Sequence, residues 1–138
     1  MRRKSVGSTL VEHVVAMAIT AIITAIAVPG YSAYLRRGWT VDATNSLSTY
    51  AGRLEAAFDS NGNYGAGACA VAAPATTDQW SFGCALQAGG QSFLVTATGR
   101  GPMAGYAVTL DESGNRRTTA FEGATVSKGC WLYYGTEC

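Results

Sequence analysis

Four cysteines, one histidine and one carboxylate set in an apolar run are the side chains of this 138-residue chain whose types could do chemistry. The single histidine, His13, lies inside the apolar run, so no Ser/His/Asp or Cys/His arrangement can form in the rest of the chain. No catalytic residues are expected, and the chain reads as not an enzyme. No CxxC pair, no His/Cys cluster with metal-ligand spacing and no phosphate-cradling glycine loop occurs, so neither a metal site nor a cofactor is expected. Basic side chains beyond the apolar run gather at Gly99-Arg100-Gly101-Pro102, at Arg116-Arg117 and at Lys128 beside aromatic residues. Arg100, Arg116, Arg117 and Lys128 are candidate contacts for a phosphate or an acidic partner. Charged turns and strand edges on any soluble surface look the same.

The formal charge of +1 conceals an asymmetry. Arg2, Arg3 and Lys4 form one N-terminal block, and without residues 1–7 seven basic side chains face nine acidic ones. Such a balance is a poor match for a phosphate backbone unless local geometry concentrates the positive charge. The length allows one domain plus one membrane-length segment.

Cys69, Cys84, Cys130 and Cys138 are an even set lying beyond the apolar run, which fits an oxidising compartment. Three pairings are open, and free core thiols are the alternative. Cys69 with Cys84 and Cys130 with Cys138 are favoured because each pair closes a short local loop.

Residues 8–28 are almost wholly apolar and match the ~20 residues a helix needs to span hydrocarbon. The basic block before them predicts a cytoplasmic N-terminus and a single pass, against a weaker opposing signal from Arg36 and Arg37. An ordinary signal peptide cut after Ala25-Ile26-Ala27 is the alternative. Glu12 argues against it, because a carboxylate in lipid costs a few kcal/mol unless neutralised or paired, and a disposable leader has no use for one. His13 is either a pH-sensitive partner for a carboxylate or a neutral ring near the headgroups.

Gly7-Ser8-Thr9-Leu10-Val11-Glu12 resembles the signal motif of type IV pilins and pseudopilins. The resemblance implies cleavage between Gly7 and Ser8 by a prepilin peptidase and N-methylation of Ser8. It further implies assembly into a filament through Glu12, whose carboxylate would pair with the N-terminal amine of a neighbouring subunit. Pro29 then matches the helix-breaking proline of type IVa pilins, and with Gly30 is expected to kink or locally melt the helix. Ser8 departs from the family's usual phenylalanine, and His13 from an apolar residue.

The elements that must carry these residues follow from periodicity. Leu35, Trp39, Ala43, Leu47, Ala51, Leu54 and Phe58 recur every three or four residues, predicting an amphipathic helix that Asn61-Gly62-Asn63 stops. One helix from about residue 8 to about residue 60 would run roughly 80 Å. Residues 64–77 read as an irregular covering loop. Residues 80–86, 91–98, 106–110 and 116–121 read as antiparallel strands, with hairpin chemistry at 111–115. The fold class is α+β: a pilin fold with a long N-terminal helix, membrane anchor plus amphipathic spine, on a small antiparallel sheet with a C-terminal disulfide loop. Its expected divisions are a leader at 1–7, a transmembrane and filament-core segment at 8–28 and a globular head at 29–138, with helix 30–60, loop 61–79 and sheet 80–138. Trp131, Leu132, Tyr133 and Tyr134 are either core or an exposed patch.

Within the pilins the chain looks most like PilE-like minor pilins. The leading expectation is a minor pilin that waits in the inner membrane and is then assembled with other pilin subunits into a surface pilus, serving biogenesis, motility, adhesion or DNA uptake. Its partners would be those pilins, the prepilin peptidase, the inner-membrane assembly machinery and, before assembly, membrane lipid. Alternatives are a DNA-binding minor pilin for natural transformation, disfavoured by the negative balance, a type II secretion pseudopilin, and a secreted domain released after Ala27.

Overall fold

A computed structural model describes residues 9–138. Helix α1 covers Leu10–Asn61 and is followed by strands β1 (Trp80–Gln87), β2 (Ser92–Gly99), β3 (Ala107–Asp111), β4 (Arg116–Phe121) and β5 (Ala124–Lys128). The chain divides into two compact units, Met1–Leu35 and Arg36–Cys138.

In the first unit α1 is apolar around its whole circumference, with Leu10, Val14, Met17, Ile22, Ile23 and Ile26 all exposed. A helix with no polar face has its match in hydrocarbon rather than water, and this one is long and apolar enough to cross a membrane. Its threonines hide their hydroxyls by bonding back along the helix, Thr20 to the Ala16 carbonyl at 2.8 Å and Thr24 to that of Thr20 at 2.9 Å. The expected melting at Pro29 and Gly30 does not occur, since α1 continues through both. Proline removes one donor from the ladder, and the flanking turns keep theirs.

In the second unit one face of α1 lies on a five-stranded antiparallel meander of order β1-β2-β3-β4-β5. The predicted stripe is partly right. Ala43, Leu47 and Leu54 are buried, and Trp39, Ala51 and Phe58 pack on the core from its margin. Thr40, Thr44 and Tyr50 are buried as well, so the stripe is broader than its aliphatic residues. Their polar atoms are satisfied, which makes burial tolerable. Thr40 donates to the Arg36 carbonyl at 2.9 Å, Thr44 to that of Val41 at 3.0 Å and Tyr50 to that of Val71 at 2.7 Å. At the helix end the Gly62 N–H reaches the Phe58 carbonyl at 2.7 Å with φ +72°, the left-handed closure that favours glycine.

Register sets the sheet faces. Cys84 pairs with Val95, Val95 with Leu110, Ala97 with Val108 and Val108 with Thr118, which puts these residues on the helix side. Two expectations need correction. The sheet ends at Lys128 rather than running to 138, and it includes a fifth strand that was not foreseen. The β4–β5 turn is Glu122-Gly123, with φ of 50° and 82°. That is the left-handed pair a tight hairpin requires, but glutamate is no usual signal for it. Gly123 also lies against Gly105, where an added Cβ would come within 2.7 Å of the Gly123 nitrogen. The segment at 64–77 is more than cover, because Tyr64 is buried between the rings of Phe58 at 4.6 Å and Phe93 at 4.8 Å.

Candidate nucleic-acid interface

After β5 the chain turns into a loop closed by the Cys130–Cys138 disulfide, while Cys69–Cys84 ties the segment after α1 to β1. These are the favoured local pairings. The C-terminal loop is fastened to the domain at several points. The Trp131 indole N–H donates to the Thr109 carbonyl at 2.9 Å. The Leu132 N–H donates to the Thr118 hydroxyl at 2.9 Å, which donates in turn to the Cys130 carbonyl at 2.8 Å. The Tyr133 hydroxyl donates to that of Thr44 at 3.0 Å. The aromatic run therefore divides: Trp131 and Leu132 are core, Tyr133 is half-buried, and Tyr134 is exposed.

Three cations from three elements meet this loop. Arg37 of α1 lies over the Tyr134 ring at 4.3 Å and Arg116 of β4 over the Trp131 ring at 4.8 Å. Lys128 at the end of β5 contacts both carboxylate oxygens of Glu137, at 3.0 and 3.1 Å. A guanidinium resting on an aromatic face keeps its charge and the donors along its edge while its orientation is restricted. Between the loop's own residues lies an open cleft of about 270 Å³, lined by Trp131, Tyr133, Tyr134, Glu137 and the disulfide. Cations fixed on a rigid scaffold beside exposed aromatic surface suit the backbone of an anionic polymer.

The other predicted site residues fall elsewhere. Strand alternation sends Arg116 and Arg117 to opposite faces, so this pair is not one basic spot. Arg117 instead helps hold the Asp111 carboxyl below its usual range: burial alone would raise it, and hydrogen bonds from Asn115 and Ser113 with the Arg117 charge outweigh that. Arg100 reaches the Thr77 carbonyl at 3.4 Å, and its N–H donates to that of Gln79 at 2.7 Å. It lies beyond the end of β3 opposite to the one that meets Arg116. Glu12 sits in the first turn of α1, its N–H 3.3 Å from the Thr9 hydroxyl. His13 Nδ1 is 3.3 Å from the Thr9 carbonyl oxygen. Pro29 and Gly30 are helical. Gly7 and Ser8 lie outside the described residues.

Arg37, Arg36 and Glu137 were not singled out from sequence. Arg37 and Arg36 counted only as a weak charge signal for topology beyond the apolar run. Their partners, the Tyr134 ring for Arg37 and the Tyr106 hydroxyl for Arg36, lie far along the chain. Burial raises the Tyr106 hydroxyl above its ordinary value, the Glu122 charge adds to this, and Arg36 opposes both.

Residues 29–109 match the family described as type IV minor pilin ComP, DNA uptake sequence receptor. The site residues Arg116 and Lys128 and the C-terminal loop lie past that stretch. Among solved structures the chain is similar to a type IV pilin from Shewanella oneidensis, with 26% identity and a TM-score of 0.52 over 59% of this chain and 89% of that one. No curated protein matches the chain. With a family match over more than half of its length, and a structural likeness to a solved type IV pilin, the chain belongs to the type IV minor pilin ComP family.

Proposed function

We propose that this minor pilin is the DNA-receiving subunit of its filament, gripping duplex DNA through the C-terminal disulfide loop. The observation that carries the proposal is the convergence of Arg37, Arg116 and Lys128 on that loop, which concentrates cations on a domain without a net positive charge. The matched family's description, a DNA uptake sequence receptor, supports it. The chemistry is backbone contact: each phosphate neutralised releases counterions, and affinity falls with salt accordingly. Nothing in it requires catalysis.

Presentation at the cell surface requires assembly. A prepilin peptidase would cut between Gly7 and Ser8 and Ser8 would be methylated. The chain would wait in the inner membrane by the apolar part of α1, and the assembly machinery would then bring it into a filament with other pilins. There Glu12 would meet a neighbour's terminal amine in a low-dielectric core, where a lost partner is costly and register is thereby enforced. Glu12→Ala is expected to leave leader cleavage intact and to reduce incorporation into sheared filaments. Normal incorporation would remove this role from Glu12.

The DNA reading is tested by mobility shift with a short duplex across a salt series. The expected result is binding whose logarithm falls with log salt at a slope of roughly −2 to −3, the range for two to three phosphate contacts. No binding at low salt, or binding indifferent to salt, would overturn it.

A further inference from the structure

We propose that Glu137 is a built-in competitor for DNA phosphate on Lys128, so that the loop carries its own brake on DNA affinity. The inference rests on the DNA reading above and adds a regulatory element to that surface. The three cations at the loop are not equivalent. Arg37 and Arg116 rest on aromatic faces, which leave their charge uncompensated. Lys128 is already met by a carboxylate, held at 3.0 and 3.1 Å by its two oxygens. A phosphate can use Lys128 only by displacing that carboxylate.

The geometry favours exchange over a permanent lock. The Lys128 side chain is 31% exposed and that of Glu137 84%, so the pair lies in high dielectric where an exposed ion pair is weak. Glu137 cannot drift far once displaced, since it adjoins Cys138 and the Cys130–Cys138 bond closes the loop on the end of β5. A displaced carboxylate therefore stays near the incoming phosphate and repels it. A phosphodiester carries one negative charge, so the swap is charge for charge. DNA gains through this lysine only what its additional contacts and released counterions supply.

The experiment uses the full chain in nonionic detergent and a short duplex of arbitrary sequence, with binding followed by fluorescence anisotropy over a salt series. Glu137→Gln keeps the side chain's shape and removes its charge. It is expected to tighten binding at low salt by roughly threefold to tenfold and to steepen the salt slope by roughly one, the signature of one more phosphate contact. The decisive arm is the Lys128→Gln background, where Glu137→Gln should leave the salt slope unchanged and bring a much smaller gain, because the added phosphate contact is that of Lys128. A gain undiminished there would mean only that a negative charge has left the neighbourhood, and the proposal would be overturned. It would equally fall if wild type binds and Glu137→Gln binds no better, with the DNA reading left standing. If no variant binds DNA at any salt, the DNA reading fails and the brake with it. Equal thermal midpoints for wild type and Glu137→Gln are expected, which separates the effect from loosening of the loop.

Discussion

Thr118 and Leu132 are joined by a buried hydrogen bond of 2.9 Å, in which the Leu132 N–H donates to a hydroxyl that donates in turn to the Cys130 carbonyl at 2.8 Å. One side chain of β4, 1% exposed, thus satisfies a donor and an acceptor of the C-terminal loop. Thr118→Val keeps the volume and leaves both backbone groups without their partner. The expected loss is about 2–3 kcal/mol, the scale for stranding buried polar groups. Thr118→Ser, which keeps the hydroxyl, should lose less. Urea unfolding of the three proteins decides, and a valine variant as stable as the serine one would show that the bond does not hold the loop.

The turn between β3 and β4 is organised by Asp111. Its carboxylate accepts the N–H groups of Ser113 at 3.0 Å and Asn115 at 2.9 Å, and the Asn115 side-chain amide at 2.9 Å. Since the folded-state pKa is lowered, the stabilisation is present above the unfolded carboxylate value and is lost as pH falls through the folded one. Asp111→Asn is expected to cost about 1 kcal/mol at neutral pH, one hydrogen bond and its charge assistance. The gap to wild type should close as pH falls through the lowered folded-state value. A gap that stays constant from neutral to acid pH would remove the charge from the explanation.

Much of this fold was legible because its signals are local. The aliphatic spacing of Ala43, Leu47 and Leu54 marked the helix face, and alternation at Val108 and Leu110 marked a strand. The burial of Thr40, Thr44 and Tyr50 was not legible, because it depends on acceptors such as the Arg36, Val41 and Val71 carbonyls. Strand β5 was hidden by a Glu-Gly turn and by a polar sequence, ATVSK, with little alternation. At the site, Arg116 and Lys128 were visible as basic residues. The partners that give them meaning, Trp131 and Glu137, are a matter of tertiary placement, and Arg37 was visible only as a charge just beyond the apolar run.

Disulfide Cys69–Cys84 closes a separation of 15 residues, and Cys130–Cys138 one of 8. Loop-closure entropy then assigns about 3 kcal/mol to the first and roughly 2.5 kcal/mol to the second. The functional consequences should differ more than the energies. Cys69→Ser with Cys84→Ser is expected to lower stability and leave DNA affinity near wild type, because that bond touches none of the three cations. Cys130→Ser with Cys138→Ser should weaken DNA binding as well, by freeing Tyr134 and Trp131, the rings on which Arg37 and Arg116 rest. Paired unfolding and binding measurements check this, and equal DNA affinity in both double variants would detach binding from the loop.

Arg37 offers the sharpest test of why these cations lie on rings. Its guanidinium sits 4.3 Å from the centre of the Tyr134 ring, a contact worth about 0.5–1 kcal/mol at an exposed site. If the ring serves to orient the charge, Arg37→Lys should keep the salt slope, since the charge remains, and weaken DNA binding a few-fold, since an ammonium lacks the planar stacking face. Tyr134→Ala should give the same phenotype from the other side, and the two together should be no worse than either alone. Arg37→Ala should instead reduce the salt slope by roughly one. Should Arg37→Lys and Tyr134→Ala combine additively, the ring would be contacting DNA on its own account, and its stacking on Arg37 would be incidental to binding.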